Sequence, residues 1–299
     1  MYFTLFSNAK INLYLRVLYK RKDNYHQIES IFAPIPIYDI VIIKIENFQN
    51  FAQSIDDFTI KTKNVIRLKN KNSFEEVSER GDIKKNLIYQ LLENLLNRRI
   101  QIPKMEIFLE KHIPPGSGVG GASSNAGFLL RFLIKQKFID FSLGLHIANS
   151  IGSDVPFFLY NTLCYVTGRG EEITPLKNFL KERLYGILCL NSYSISTKEA
   201  YQKLGKSYKS HNSKTNLKLL KKNFLKNMIN DFEEVAFQLE PNLKKIQEMF
   251  MHTNPKKVLL TGSGSGIFSL YENQQKMLEA YPKLKILEDT NFEFYPFVV

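Results

Sequence analysis

The sequence predicts an α+β protein in two domains, and two observations lead there. Apolar residues recur with a period of two in some segments and near 3.6 in others, and the two kinds intermix along the 299 residues without strict alternation. Glycine-rich turns interrupt the pattern twice, once between a strand and a helix at 113–126 and once between two short apolar runs at 261–266. A boundary near residue 160 divides residues 1–160 from 161–299.

Taken in order, strands are expected at Ala9 to Val17, Tyr25 to Phe32 and Asp39 to Ile45. A helix is expected from Ile83 to about Arg98, where Leu87, Leu91 and Leu95 repeat every four residues. In Met105 to Lys111, Met105, Ile107 and Leu109 face one way and Glu106 and Glu110 the other, which is strand periodicity. Phe128 to Lys137 is apolar at helical spacing, with Ser123 or Ser124 placed to cap it. Another helix is expected near Ser142 to Ile151. Beyond the boundary the pattern gives strands at Thr162 to Thr167 and Tyr185 to Leu190. Helices follow near Thr197 to Leu204, Thr215 to Met228, Asp231 to Leu239 and Pro241 to Met251. Lys257 to Leu260 and Ile267 to Leu270 flank the second glycine turn as a hairpin would.

The first glycine turn is the most informative stretch. Pro114, Pro115, Gly116, Ser117, Gly118, Val119, Gly120, Gly121, Ala122, Ser123 and Ser124 run from the strand into the helix, with four glycines in six positions. Unpaired backbone N–H groups and the positive end of a helix dipole meet there, and no Cβ blocks close approach. Such a place is built for phosphate. Gly116, Gly118 and Gly121 also fit the dinucleotide spacing, and Asp140 follows about twenty residues on. That reading fails because Pro114 and Pro115 break the strand before the glycines and because Phe138-Ile139 is too short for a second strand. A second imitation, Ala200 followed by Gly205-Lys206-Ser207, lacks the strand before it and the apolar helix after it.

The net charge of +12 comes from basic residues, mostly Lys, spread throughout among frequent Asn, without zinc spacing or a basic stripe interleaved with aromatics, so no nucleic-acid partner is expected. A positive field still favours an anionic substrate. Cys164 and Cys189 lie in apolar strand-like segments and read as buried free thiols of a reducing, cytoplasmic setting. No run is long and apolar enough for a membrane span. No Ser/His/Asp order, His-x-x-x-His or Cys-x-x-Cys supports nucleophilic hydrolysis or a protein-held transition metal.

Four further places carry chemistry-bearing residues. In Ala9 to Val17 the period of two puts Lys10, Asn12, Tyr14 and Arg16 on one face, which alone is also an ordinary half-exposed strand. Asp154 stands between Gly152 and Pro156, where it serves equally as a sheltered base or a cap for the following turn. Tyr25-His26, an aromatic beside an imidazole, suits a base or ring as well as a plain surface. Gly262, Ser263 and Gly264 form either a second phosphate-facing loop or only a turn.

Together and in this order, these motifs resemble the GHMP kinases. The first glycine loop carries the likeness, joined by Ala9-Lys10-Ile11-Asn12-Leu13, Asn24-Tyr25-His26, Asn86-Leu87-Ile88 and Gly152-Ser153-Asp154-Val155-Pro156-Phe157. Gly168-Arg169-Gly170-Glu171, Ser196-Thr197, Ala200-Tyr201, Asn230-Asp231-Phe232-Glu233 and Thr261-Gly262-Ser263-Gly264 complete it. Ala122 departs from the glycine of close relatives, at small cost if its φ stays negative.

The resemblance implies a ribosomal protein S5 domain 2-like first domain and a ferredoxin-like second domain, with ATP and an alcohol substrate in the cleft between them. It implies Asp154 as the base and Lys10 as its cationic neighbour. It places the loop Pro114 to Ser124, with Asn86 and Lys111, around ATP, whose Mg²⁺ would be held largely by phosphates and water. Asn12, Tyr25, His26, Thr197, Tyr201, Gly262, Ser263 and Gly264 would hold the substrate. Tyr25, His26 and Tyr201 point within the family to a cytidyl diphospho-alcohol of the non-mevalonate isoprenoid route, since sugars and short amino acids need no grip on a base. A kinase of another alcohol or sugar, and a nonenzymatic nucleotide- or RNA-binding module, are the rival readings. A monomer or weak homodimer is expected.

Overall fold

The computed structural model describes residues 1–66, 68, 83–207, 215–289 and 291–299. In chain order the elements are β1 (Tyr2–Lys20), β2 (His26–Lys44), β3 (Phe58–Asn64), α1 (Leu87–Asn97), β4 (Met105–Lys111), α2 (Gly121–Lys135), α3 (Phe141–Ile151) and α4 (Val155–Tyr160). They continue with β5 (Cys164–Thr167), β6 (Glu172–Pro175), β7 (Tyr185–Asn191), α5 (Thr197–Ser207), α6 (Leu217–Lys222), α7 (Phe224–Asn227), α8 (Glu233–Leu239) and α9 (Asn242–Met251). The chain closes with β8 (Lys257–Leu260), β9 (Ile267–Tyr271), α10 (Gln274–Lys285) and β10 (Phe292–Val298). The expected α+β class is what is found.

One sheet has the order β3-β4-β2-β5-β6, with β1 paired to β2, and the other the order β10-β7-β9-β8. The β3–β4 pair is parallel and the remaining pairs are antiparallel. Because β5 pairs with β2, a division by sheets falls between Pro175 and Tyr185, later in the chain than residue 160.

The three strands expected before residue 45 are two long ones. Pro36 does not end β2, because it sits at an irregularity. Asn8 pairs with Tyr38 and Ala9 with Ile35, so Pro36 and Ile37 have no partners to lose. A second shift between Asn12 and Tyr14 makes Leu13 an extra residue, so the simple alternation expected for Lys10, Asn12, Tyr14 and Arg16 breaks there.

Both faces of this hairpin are covered along its middle, while Phe6, Tyr19 and Tyr38 stay exposed. Helices α1 to α3 cover one side, with Leu91, Leu95, Leu129 and Leu133 packed against Ile43 and Ile107. The second sheet covers part of the other, where Ile11, Leu13, Ala33 and Ile35 meet Leu188, Leu190, Phe268 and Phe297. Helices α8 to α10 close the far side of the second sheet, with Ile246, Phe250 and Leu284 against Ile187 and Phe294. Full burial of one such side chain contributes ~1.5–3 kcal/mol. The half-exposed strand expected at Ala9 to Val17 is therefore largely buried, with Lys10 and Asn12 at 3% and 2% exposure.

Other differences are local. Helix α2 starts at Gly121, well before Phe128. The helix expected over Thr215 to Met228 is two short ones that meet at Asn223 (φ −133°, ψ 53°). Strands β3, β6 and β10 were not expected. In β10, Pro296 is tolerated because the strand lies at a sheet edge. Cys164 and Cys189 are free and buried, as expected, and burial raises the Cys164 thiol to about 12. Among the described residues no helix is long and apolar enough to cross a membrane.

Candidate active site

Gly116, Gly118 and Gly120 have φ of 70°, 74° and 76°, so left-handed residues alternate along the loop. That alternation turns successive N–H groups to one side and forms a nest for an anion at the start of α2. The side chains between them point into the protein. Ser117 donates to the Pro114 carbonyl at 2.7 Å, and Val119 is fully buried while its carbonyl accepts from Lys10 N–H at 2.9 Å. Gly120 stands at the cap position with no side chain to cap. Neither serine plays the expected capping part: Ser124 is buried and donates to the Asn8 carbonyl at 2.7 Å. Ala122 lies exposed in the first turn of α2, where helical φ is negative.

A cleft of about 1360 Å³ opens beside Gly118 and Gly120, and Asp154 is the one carboxylate among the described residues that line it. Asp154 occupies the cap position of α4 but makes no cap hydrogen bond. Its Oδ2 lies 3.5 Å from Lys10 Nζ. The Lys10 ammonium donates to Asn12 Oδ1 at 2.7 Å and stands 4.6 Å from the centre of the Phe32 ring. Burial lowers the pKa of Lys10, and the Asp154 charge opposes that shift. Asn12 is itself fixed. Its Oδ1 accepts from Thr261 Oγ1 at 3.2 Å, and its Nδ2 donates to Ser30 Oγ at 3.0 Å. The glycine loop approaches this pair closely, since a methyl placed on Gly120 would stand 3.3 Å from Lys10 Cγ.

At the rim of the cleft, His26 stacks on Tyr201 with ring centres 4.6 Å apart and an 18° tilt, and Tyr201 meets Phe232 edge-on at 4.8 Å. Burial and the neighbouring Lys20 lower the pKa of His26, which favours neutral imidazole. Tyr25 is exposed and does not face Tyr201; the Arg169 guanidinium lies 4.8 Å from its ring centre. Thr197 and Ser263 share a hydrogen bond of 2.9 Å across the cleft wall beside Gly262. Gly262 and Gly264 have φ of 60° and 97°.

Of the two other residues expected at the nucleotide, Lys111 reaches the head of α2, where a methyl on Gly121 would stand 3.3 Å from its Nζ. Asn86 caps α1, accepting from Ile88 N–H at 2.9 Å. Lys111 pairs with Asp39. Asp39 is fully buried and accepts from His112 N–H and Ile113 N–H, both at 2.8 Å, and from Asn125 Nδ2 at 3.0 Å. It anchors the chain just before the glycine loop, and no sequence motif pointed to it. Nor did a motif reveal the task of Asn230, whose Nδ2 reaches the carbonyls of Leu260 and Gly262, each at 2.8 Å. Asp140 caps α3, accepting from Leu143 N–H, which accounts for its place in the discarded dinucleotide spacing. Among the described residues no group of three His, Cys, Asp or Glu is placed to hold a metal.

A nest of glycines heading a helix, opening onto a Lys–Asp pair between two sheets, defines a phosphotransferase of the GHMP class. The family model for the N-terminal domain of GHMP kinases matches residues 86–162, and that for the C-terminal domain matches 211–287. The chain is 35% identical to the 4-diphosphocytidyl-2-C-methyl-D-erythritol kinase of Leptospira interrogans, covering 98% of this chain and 99% of that one. It is 32% identical to the kinase of the same name from Leptospira biflexa, covering 94% of each. A solved structure titled 4-(cytidine 5'-diphospho)-2C-methyl-D-erythritol kinase superposes with a TM-score of 0.76 at 23% identity, over 99% of this chain and 98% of that one. The fold is also shared by a solved L. major mevalonate kinase, with a TM-score of 0.65 at 13% identity, over 99% of this chain and 95% of that one. The chain belongs to the GHMP kinases and, within them, to the family of 4-diphosphocytidyl-2-C-methyl-D-erythritol kinases.

Proposed function

We propose that this enzyme transfers the γ-phosphoryl group of ATP to the 2-hydroxyl of 4-diphosphocytidyl-2-C-methyl-D-erythritol, in the cytoplasm. The observation that carries the reading is the Asp154–Lys10 pair at 3.5 Å, set against the glycine loop. Asp154 takes the proton of the attacking hydroxyl. The new O–P bond forms as the bond from the γ-phosphorus to the bridging oxygen breaks, and ADP leaves. Lys10, desolvated and fixed by Asn12, keeps Asp154 ionised and balances charge on the phosphoryl oxygens as they pass. Phosphoryl transfer gains most from such placement and charge stabilisation. The loop from Pro114 to Ser124 and the positive end of α2 hold the nucleotide phosphates. With Asp154 the one carboxylate among the described residues lining the cleft, Mg²⁺ fits as a companion of the phosphates and water, supplying charge neutralisation there.

His26 and Tyr201 offer a flat, partly apolar face for cytosine, and neutral imidazole offers both a donor and an acceptor to its edge. The test is a transfer assay with ATP and a panel of alcohols: the cytidyl alcohol, its fragment without the cytidyl group, mevalonate, homoserine and galactose. Phosphorus NMR should locate the new phosphate on the 2-hydroxyl. Preferred turnover of mevalonate, homoserine or galactose would remove the substrate assignment and leave the kinase.

A further inference from the structure

We infer that the turn Gly168 to Glu171, between β5 and β6, is a bracket joining the base-holding end of the cleft to its reacting end. Arg169 and Glu171 act in it as positioning residues for Tyr25, and Gly170 supports Asp154. The inference rests on the cytidyl-alcohol reading above.

Glu171 is the centre of the bracket. One carboxylate oxygen lies 3.6 Å from Arg169 Nε and 4.0 Å from Arg21 NH1, and the other accepts from the Arg169 N–H. Arg21 pairs with Asp23 at 3.1 Å, and Asp23 accepts from the Tyr25 N–H at 3.1 Å. The β1–β2 turn and the β5–β6 turn are thus drawn to one carboxylate. A backbone bond from Ile28 N–H to the Gly168 carbonyl, at 2.8 Å, sets their separation. Room for the carboxylate exists because residue 168 is glycine: a methyl there would lie 2.6 Å from Glu171 Oε2.

From this anchor the Arg169 guanidinium reaches over the Tyr25 ring, 4.8 Å from its centre. Tyr25 is 55% exposed and no aromatic ring among the described residues stands against it, so the guanidinium is the contact that holds the ring. The turn's other side backs the reacting carboxylate. Gly170 has φ of 126°, and a methyl on it would stand 3.3 Å from Ser153 Cβ and 3.7 Å from Asp154 Oδ1. Four consecutive residues therefore reach both Tyr25 and Asp154. One turn thus sets the grip on the cytidine end through Arg169 and the placement of the reacting carboxylate through Gly170.

The bracket predicts a split between neighbouring residues. Arg169→Ala and Glu171→Gln should each raise KM for the cytidyl alcohol by about two- to fivefold, with kcat and the KM for ATP near wild type. Gly170→Ala should lower kcat by about tenfold and leave both KM values nearly unchanged. Because Arg169 acts through Tyr25, its removal from a Tyr25→Ala enzyme should add nothing. Equal losses in the two backgrounds, with a steep salt dependence, would make Arg169 a direct contact for the substrate diphosphate and overturn the bracket. Unchanged KM in both Arg169→Ala and Glu171→Gln would also overturn it, while wild-type turnover of the cytidyl alcohol kept the kinase assignment. Failure of the wild type to use the cytidyl alcohol would fell the assignment and the bracket with it. Both variants lie at partly exposed positions, so they read the proposal even if Gly170→Ala does not fold.

Discussion

Asp154 stands at the head of α4 and caps nothing, because its carboxylate turns to Lys10 Nζ, 3.5 Å away. A carboxylate at a helix start normally accepts from the N–H groups beyond it and gains about 0.5–2 kcal/mol. Here that gain is given up for a place beside a buried ammonium. Lys10 is likewise a poor structural choice, since desolvation is the larger influence on it. A pair that costs stability on both sides is a functional pair.

Asp154→Asn should lower kcat by about 10²–10⁴ with KM for ATP little changed, and Lys10→Met should be as severe. The double variant should be little worse than the worse single one, because the two act as a unit. Additive losses in steady-state kinetics would show independent roles. The double variant should melt at or above the wild-type temperature by calorimetry, since it removes the buried ammonium together with its partner charge.

The pH profile should carry the mark of Lys10. Its pKa is lowered from 10.5, so kcat should fall on the alkaline side below the usual lysine range. Lys10→Arg should push that limb out of range or abolish turnover. For stability the sign is opposite. Between the lowered folded value and the ordinary unfolded one, the unfolded chain holds more protons, so the Lys10 penalty fades as pH rises through that window. A limb at or above 10.5 would count against Lys10 as the titrating group.

Two neighbouring loop glycines should fail in different ways. A methyl on Gly118 (φ 74°) would meet the Thr261 carbonyl at 2.3 Å, while one on Gly120 would meet the Phe158 ring at 3.1 Å and Lys10 Cγ at 3.3 Å. Gly118→Ala should destabilise by about 2–5 kcal/mol, combining left-handed strain and overpacking. Gly118→Val should therefore harm the fold as well as nucleotide binding. Gly120→Ala should show its larger effect in kcat, by displacing Lys10. Urea titration and kinetics on both variants decide; equal stability loss would refute the distinction.

Tyr201→Ala should raise KM for the cytidyl alcohol by about ten- to a hundredfold if stacking there resembles that of single-strand binders, with the KM for ATP unchanged. Tyr201→Phe should be nearly harmless, because the ring carries the stack with His26. His26 has a lowered pKa, so this KM should stay flat down to about pH 6.5 and rise only below it. A rise that begins above pH 6.5 would show that His26 is not the group involved.

The strand–glycine–helix unit and the Lys10 and Asp154 motifs were legible because their chemistry is local: turn residues, period and charge lie next to one another in the chain. Tyr201 and His26 were legible as ring partners for a base but not as partners of each other, since their contact joins β2 to α5. The pleat of β1 misled because burial on both faces depends on a second sheet that begins at Tyr185. Asp39 and Asn230 escaped for the same reason. Each is an ordinary polar residue with side-chain hydrogen-bond partners 30 to 86 positions away, as with Leu260 for Asn230 and Asn125 for Asp39. The strands ending at Phe32 and starting at Asp39 proved continuous because Pro36 falls in a register slip, which a single strand does not announce.

The two glycine loops touch closely through their backbones: Gly266 N–H donates to the Ser117 carbonyl at 3.0 Å, and a methyl on Gly262 would stand 3.0 Å from the Gly118 carbonyl. Together with the Ile11, Leu13, Leu188 and Phe268 cluster, this contact makes the two halves unfold as one. Neither half holds its nucleotide loop in shape without the other behind it. Heating should give a single calorimetric transition, with van't Hoff and calorimetric enthalpies in agreement. A fragment ending near residue 160 should expose the apolar face of β1 and aggregate rather than bind ATP, which would make fragment solubility a direct measure of how far the halves depend on each other.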